Sequence, residues 1–130
     1  MPPKESFYPT DWLRIPEKDY ARVEYLLTAH DPEAAGFYLQ QAIEKFLKAF
    51  LLSKGWQLQR IHDLEPLLNE ALKHDSSLQQ YRSILQRITG FYFVERYPFV
   101  LDTSITEKDV QQAHSQTKAL VESIRGALNE

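Results

Sequence analysis

The chain has 130 residues and a formal net charge of −3, with 43% hydrophobic and 25% charged residues. These are the proportions of one folded domain, not of a disordered segment or a broadly cationic nucleic-acid binder. It has no cysteine, which removes disulfides, thiolate catalysis and cysteine-held zinc.

The opening stretch, MPPKESFYPTDW, has no apolar core of signal-peptide length, and no later stretch approaches a membrane span. The cytoplasm is the expected compartment, with no membrane partner. Residues 1–10 carry three of the seven prolines and read as an irregular lead-in, with Phe7 or Tyr8 available to tuck against the body. Pro16 can open a first helix that runs through Glu17 to about Ala29, with Tyr20, Val23, Leu26 and Leu27 on one apolar face.

The second helix, about 31–54, is the element the rest leans on. Asp31 is a good N-cap, Pro32 suits the first helical position and Glu33 suits the positive end of the helix dipole. Ala35, Leu39, Ala42, Phe46, Ala49 and Phe50 form a stripe that Ile43, Leu47 and Leu51 widen to about half the circumference. Gly55 is placed for a left-handed turn past the helix end, letting Trp56 pack back on Leu51. An arm this apolar needs other helices to cover it.

Residues 57–62 read as a polar loop, and Asp63 can cap a third helix lined by Leu64, Leu67, Leu68, Ala71 and Leu72. Pro66 lies in its first turn, where no intrahelical bond is lost. After the hydrophilic break at 73–77, a fourth helix carries Leu78, Tyr81, Ile84, Leu85 and Ile88 at helical spacing. Gly90 can stop it, or the aromatic run can extend it to Arg96, and Pro98 closes it near there. Phe99–Thr103 reads as an extended linker. Thr106 and Asp109 then make a capping box, with Ile105 and Val110 as a hydrophobic staple. Val110, Ala113, Thr117, Leu120, Val121 and Ile124 mark the buried face of the last helix. The fold class is therefore all-α, an up-and-down bundle of about five helices in one domain spanning 1–130.

Side chains for chemistry are sparse. His30, His62, His74 and His114 lie at helix ends or on polar faces, and none has a second histidine at i+3 or i+4, so no helical metal pair is expected. Solvated or capping histidines are the plain reading, with His62 set apart for the reasons that follow. The four glycines are isolated, which removes phosphate-loop and dinucleotide fingerprints, and no cofactor is expected. Gln41, Glu44, Lys45 and Lys48 form a polar stripe on the long helix. Glu44 and Lys48 are an i,i+4 pair which, taken alone, is a solvated face.

The run Tyr92–Phe99 is different. Phe91, Tyr92, Phe93, Tyr97 and Phe99 put five aromatics within nine residues, too many for one helix face to bury. Arg96 stands among them, and an arginine beside tyrosines can grip phosphate bidentately or stack on a base.

Three stretches taken together, QQAIEKFLKAFLLSKG at 40–55, IHDLEPLL at 61–68 and YFVERYP at 92–98, resemble the HEPN family, named for its occurrence in higher eukaryotes and prokaryotes. The last matches the family's tyrosine-x3-Arg-Tyr-Pro signature, and the resemblance covers about residues 19–125. It implies a five-helix up-and-down bundle, often a homodimer, similar to the substrate-binding domain that accompanies small nucleotidyltransferases. It also implies a polar groove near one bundle end, which by position takes Glu44, Lys48, His62, Asp63, Tyr92, Arg96 and Tyr97.

Many HEPN proteins are metal-independent ribonucleases, several of them toxins, using an arginine followed by four to six residues and a histidine. Here no histidine stands between Tyr97 and Thr103, Arg60 and His62 are too close, and Arg22 and His30 have seven residues between them. The general base is missing from its expected place. The expectation is a non-catalytic module that binds a nucleotide or nucleotide-bearing ligand. It can also dock on a separately encoded minimal nucleotidyltransferase, as in a toxin–antitoxin-like pair. The alternatives are a ribonuclease using His62 with Arg96 on the scissile phosphate, and a structural dimerisation unit built on the aromatic run.

Overall fold

A computed structural model describes residues 9–96 and 105–129, with side chains over 11–92 and 105–129. Within them the chain forms five α-helices: α1 (Arg14–Thr28), α2 (Pro32–Ser53), α3 (Leu64–Leu72), α4 (Arg82–Arg96) and α5 (Glu107–Leu128). No strand occurs among the described residues. Residues 1–8 of the lead-in expected over 1–10, and the linker at 99–103, fall outside them.

α2 packs against each of the other four helices, as its wide apolar stripe requires. Leu39, Ile43, Phe46, Leu47 and Leu51 are fully enclosed. Its ends form as their residues dictate. The Asp31 carboxylate accepts from the Ala34 amide at 3.3 Å. At the other end Gly55 takes φ 87, and the Trp56 and Gly55 amides reach back to the Leu51 and Leu52 carbonyls at 3.0 and 3.1 Å. The same motif closes α1, with His30 in the left-handed position at φ 61 and the Asp31 amide bonded to the Leu26 carbonyl at 2.9 Å. That lets α1 turn straight into the cap of α2.

Other boundaries differ from expectation. α1 begins at Arg14, two residues before Pro16, after a 3-10 turn over Pro9–Leu13. A second 3-10 turn, Ser76–Tyr81, precedes α4, held by the Asp75 carboxylate on the Ser77 amide and hydroxyl. Gly90 does not stop α4, which continues to Arg96. The capping box of α5 is formed in both directions, and Ile105 and Val110 are both buried.

α2 and α4 approach closely where Gly36 faces Phe91. A Cβ added at Gly36 would lie 2.9 Å from the Phe91 Cβ. Alanine favours a helix over glycine by about 1 kcal/mol, and overpacking opposes it by about 1–3 kcal/mol. Gly36→Ala is therefore expected to destabilise by about 1 kcal/mol in urea unfolding. Because the clash is with a Cβ, trimming Phe91 to alanine does not relieve it, and Gly36→Ala in a Phe91→Ala background should cost as much.

Candidate functional site

Of the groove residues expected near one bundle end, Lys48 and His62 come together around Glu44. Gln40 and Glu44 continue the row of Leu47 and Leu51 on α2, so they point inward rather than to solvent, and the expectation of a solvated stripe is corrected there. The Glu44 side chain is 6% exposed and Lys48 13%. Lys48 Nζ lies 3.0 Å from Glu44 Oε2. The loop after α2 brings His62 back over the same carboxylate, with Nδ1 3.3 Å from Oε2. A carboxylate only accepts, so in the neutral ring Nδ1 carries the proton and the second nitrogen is left as an acceptor. The His62 side chain is 72% exposed, so the imidazole is anchored inside and presented outside.

Two amides missing from the expected set complete the cluster. Gln40 Nε2 donates to the His62 carbonyl at 3.2 Å and to Glu44 Oε1 at 3.4 Å, and Gln41 Nε2 donates to Gln40 Oε1 at 2.8 Å. The signal for Gln40 was available, since a buried apolar row broken by Gln40 and Glu44 asks for a polar partner. Asp19 is a second case. It lies on the inner row of α1 between Pro16 and Val23, and its buried carboxylate takes Lys45 Nζ at 2.6 Å and Arg22 Nη1 at 2.7 Å.

Asp63 sits at the N-cap of α3 with extended backbone but makes no capping bond, which corrects the expected cap. It lines instead, with Thr89 among others, a groove of about 490 Å³ between α3 and α4. Tyr92, one turn beyond Thr89, stacks on Phe37 of α2 with ring centroids 5.7 Å apart and planes 17° from parallel. Phe37 lies seven residues before Glu44, about 10 Å back along α2. Arg96 is the last residue of α4; its side chain and Tyr97 fall outside the described residues.

His114 departs from the plain reading. It is half-buried between α5 and α1, its ring 4.6 Å from that of Tyr20, and its Nε2 is buried with no hydrogen-bond partner among the described residues. Burial pushes its pKa below the ordinary value near 6.5; Lys118 acts in the same direction and Glu24 against it. The unfolded chain then binds more protons than the folded one. Stability from this residue is present above about pH 6.5 and is lost as the pH falls below it. His114→Phe, which keeps a ring against Tyr20 without titrating, should show a shallower loss of stability between pH 7 and pH 5 than the parent. Among the described residues no three histidines or carboxylates gather to hold a metal ion, and no helix is long and apolar enough to cross a membrane.

The described residues thus form a small five-helix bundle in which a buried carboxylate meets a lysine and a histidine. The chain belongs to the HEPN domain family, whose model matches residues 9–127. Among solved structures it is similar to TT1696 from Thermus thermophilus, with 21% identity and a TM-score of 0.81 over 94% of this chain and 99% of that one. It is also similar to ST0689, an archaeal HEPN homologue, with 23% identity and a TM-score of 0.67 over 95% and 99% of the two chains. At these identities the two likenesses speak for the fold. No curated protein matches the sequence.

Proposed function

We propose that this chain is a non-catalytic module that binds a nucleotide or nucleotide-bearing ligand. In this reading it works as a homodimer beside a separately encoded minimal nucleotidyltransferase, in a toxin–antitoxin-like pair. The observation that supports the reading is the Glu44 cluster. A carboxylate withdrawn from water takes Lys48 at 3.0 Å and His62 at 3.3 Å, with Asp63 next in the chain lining the α3–α4 groove. Preorganisation of this kind lowers the ordering cost of binding. Arg96 is assigned to phosphate, and Tyr92 and Tyr97 offer aromatic faces.

Thermal unfolding against a panel of nucleotides tests it. A ligand at about 100 times its dissociation constant adds about 2.7 kcal/mol, a rise of several degrees at this chain length. The rise is expected in the parent and absent in Arg96→Ala. No rise with any nucleotide in the parent would remove the reading.

A second reading has one specific observation in its favour. Glu44 orients the His62 imidazole with its free nitrogen outward, an arrangement suited to general-base attack on a phosphodiester. RNA cleavage by the parent that His62→Gln abolishes would establish it.

A further inference from the structure

The charges of α1 are sorted by face. Its acids Glu17 and Glu24 lie toward α5, where Glu17 is tied to Arg125 and Glu24 lines a cleft with Tyr20 and His114. Arg14, Lys18 and Arg22 follow one another at i, i+4 and i+8 on a different stripe, all of them exposed. Like charges at that spacing work against a helix. A chain of net charge −3 has nonetheless gathered three cations there.

Asp19 cancels only part of this charge. Its buried carboxylate takes Arg22 Nη1 on one oxygen at 2.7 Å and Lys45 Nζ of α2 on the other at 2.6 Å. Both cations still reach solvent, Arg22 with 44% of its side chain exposed and Lys45 with 28%. Lys18, one turn before Arg22, has no ion pair among the described residues. Arg14, a turn earlier, is matched in charge by Asp11 three residues before it. Lys18, Arg22 and Lys45 against Asp19 therefore leave a surplus of two positive charges at the seam between α1 and α2. Open donors lie beside it. Arg22 keeps Nε and Nη2, Lys45 keeps two N–H bonds, and the Tyr38 hydroxyl has no partner among the described residues. Gln41, between Tyr38 and Lys45 on α2, keeps its carbonyl oxygen and one N–H. The Arg22 guanidinium carbon lies 5.3 Å from the centre of the Tyr38 ring, which steadies it at the seam.

We infer that the α1–α2 seam is a phosphate site, held by Lys18, Arg22 and Lys45 with the Tyr38 hydroxyl. It takes the dianion of inorganic phosphate or of a small phosphate monoester, and it does not rest on the nucleotide reading above. A phosphate group carries about −1.5 to −2 charge near pH 7, which the surplus at the seam matches. A carboxylate ligand would bring only one charge. The planar fork of Arg22 suits two phosphate oxygens, and Lys45 acts as a point charge on the group. Asp19 sets the strength of the site, because it competes with the ligand for Arg22 and Lys45. The Glu44 cluster has no such surplus, since its one lysine faces one carboxylate.

Titration of the full chain with inorganic phosphate and with phenyl phosphate, followed residue by residue by NMR at constant ionic strength, is the test. Saturable shifts are expected at Lys18, Arg22, Tyr38 and Lys45. Equal affinity for the two probes identifies free phosphate as the whole ligand, and tighter phenyl phosphate identifies an organic monoester. Arg22→Gln, which leaves Lys45 on Asp19, should weaken binding at least about fivefold. Asp19→Asn removes the competing charge and should tighten it about threefold or more, which a pairing that only satisfies the buried carboxylate would not do. No saturable response at these residues with either probe would overturn the site. So would a response that Arg22→Gln leaves intact, or binding that is no tighter in a folded Asp19→Asn.

Discussion

Lys48→Ala is expected to destabilise the protein by about 2–3 kcal/mol, far more than an exposed i,i+4 pair is worth. The reason is which charge stays behind. Glu44 is 6% exposed at its side chain, and without Lys48 its carboxylate keeps a neutral amide contact from Gln40 and a weak one to an imidazole that lies mostly in water. Removing one partner of a fully buried pair costs about 3–5 kcal/mol; the lower figure here allows for the water that reaches the site beside His62. Glu44→Gln is the converse and milder change, because Lys48 can swing its ammonium outward along a flexible stem. Combining Glu44→Gln with Lys48→Ala should recover most of the loss. Urea unfolding of the four proteins closes a double-mutant cycle, and an unchanged slope against denaturant identifies the effect as one on the folded state. Additive costs would show that the pair is not coupled.

Phe46→Ala is expected to cost about 3–5 kcal/mol and to lower Tm by more than about 10 °C. Phe46 is fully enclosed at the middle of α2, with the Tyr20 ring edge-on at 5.9 Å and the Arg125 guanidinium 5.9 Å above its own ring. Arg125 is tied in turn to Glu17 of α1 through Nε at 2.6 Å and through Nη2. The cavity left by truncation would therefore open among three helices braced by each other, and none can close it alone. Phe46→Leu keeps most of the volume and should cost less than half as much. Calorimetry at neutral pH distinguishes the two. A loss below about 1 kcal/mol for Phe46→Ala would mean that the bundle repacks there.

The architecture was legible because it rests on local rules. Asp31 with Pro32, Gly55 with Trp56, and Thr106 with Asp109 each satisfy helix-end groups within a few residues, and such bonds form wherever those residues stand. The width of the α2 stripe required neighbours on several sides, and the other four helices provide them. Boundaries set by competing local options were less legible. Gly90 weakens α4 without ending it, because the helix on either side is held by burial of Ile88 and Phe91.

The candidate site divides along the same line. The residues that the family resemblance gathered are legible in three short stretches, but what they do there depends on where the chain returns. Glu44 and Lys48 look like a surface pair until the loop to α3 lays His62 over them, 18 residues later. The same return puts Asp63 in a groove rather than in a cap. His114 looks like one more polar helix residue until Tyr20, 94 residues away, covers its ring. Helix periodicity and capping are encoded within a turn or two of chain, so five helices, the caps of α2 and α5 and the face each helix buries are written in the residues alone. Burial of a charge and the partner it meets depend on elements distant in sequence. It therefore takes the assembled bundle to place Glu44, Asp19 and His114 out of water.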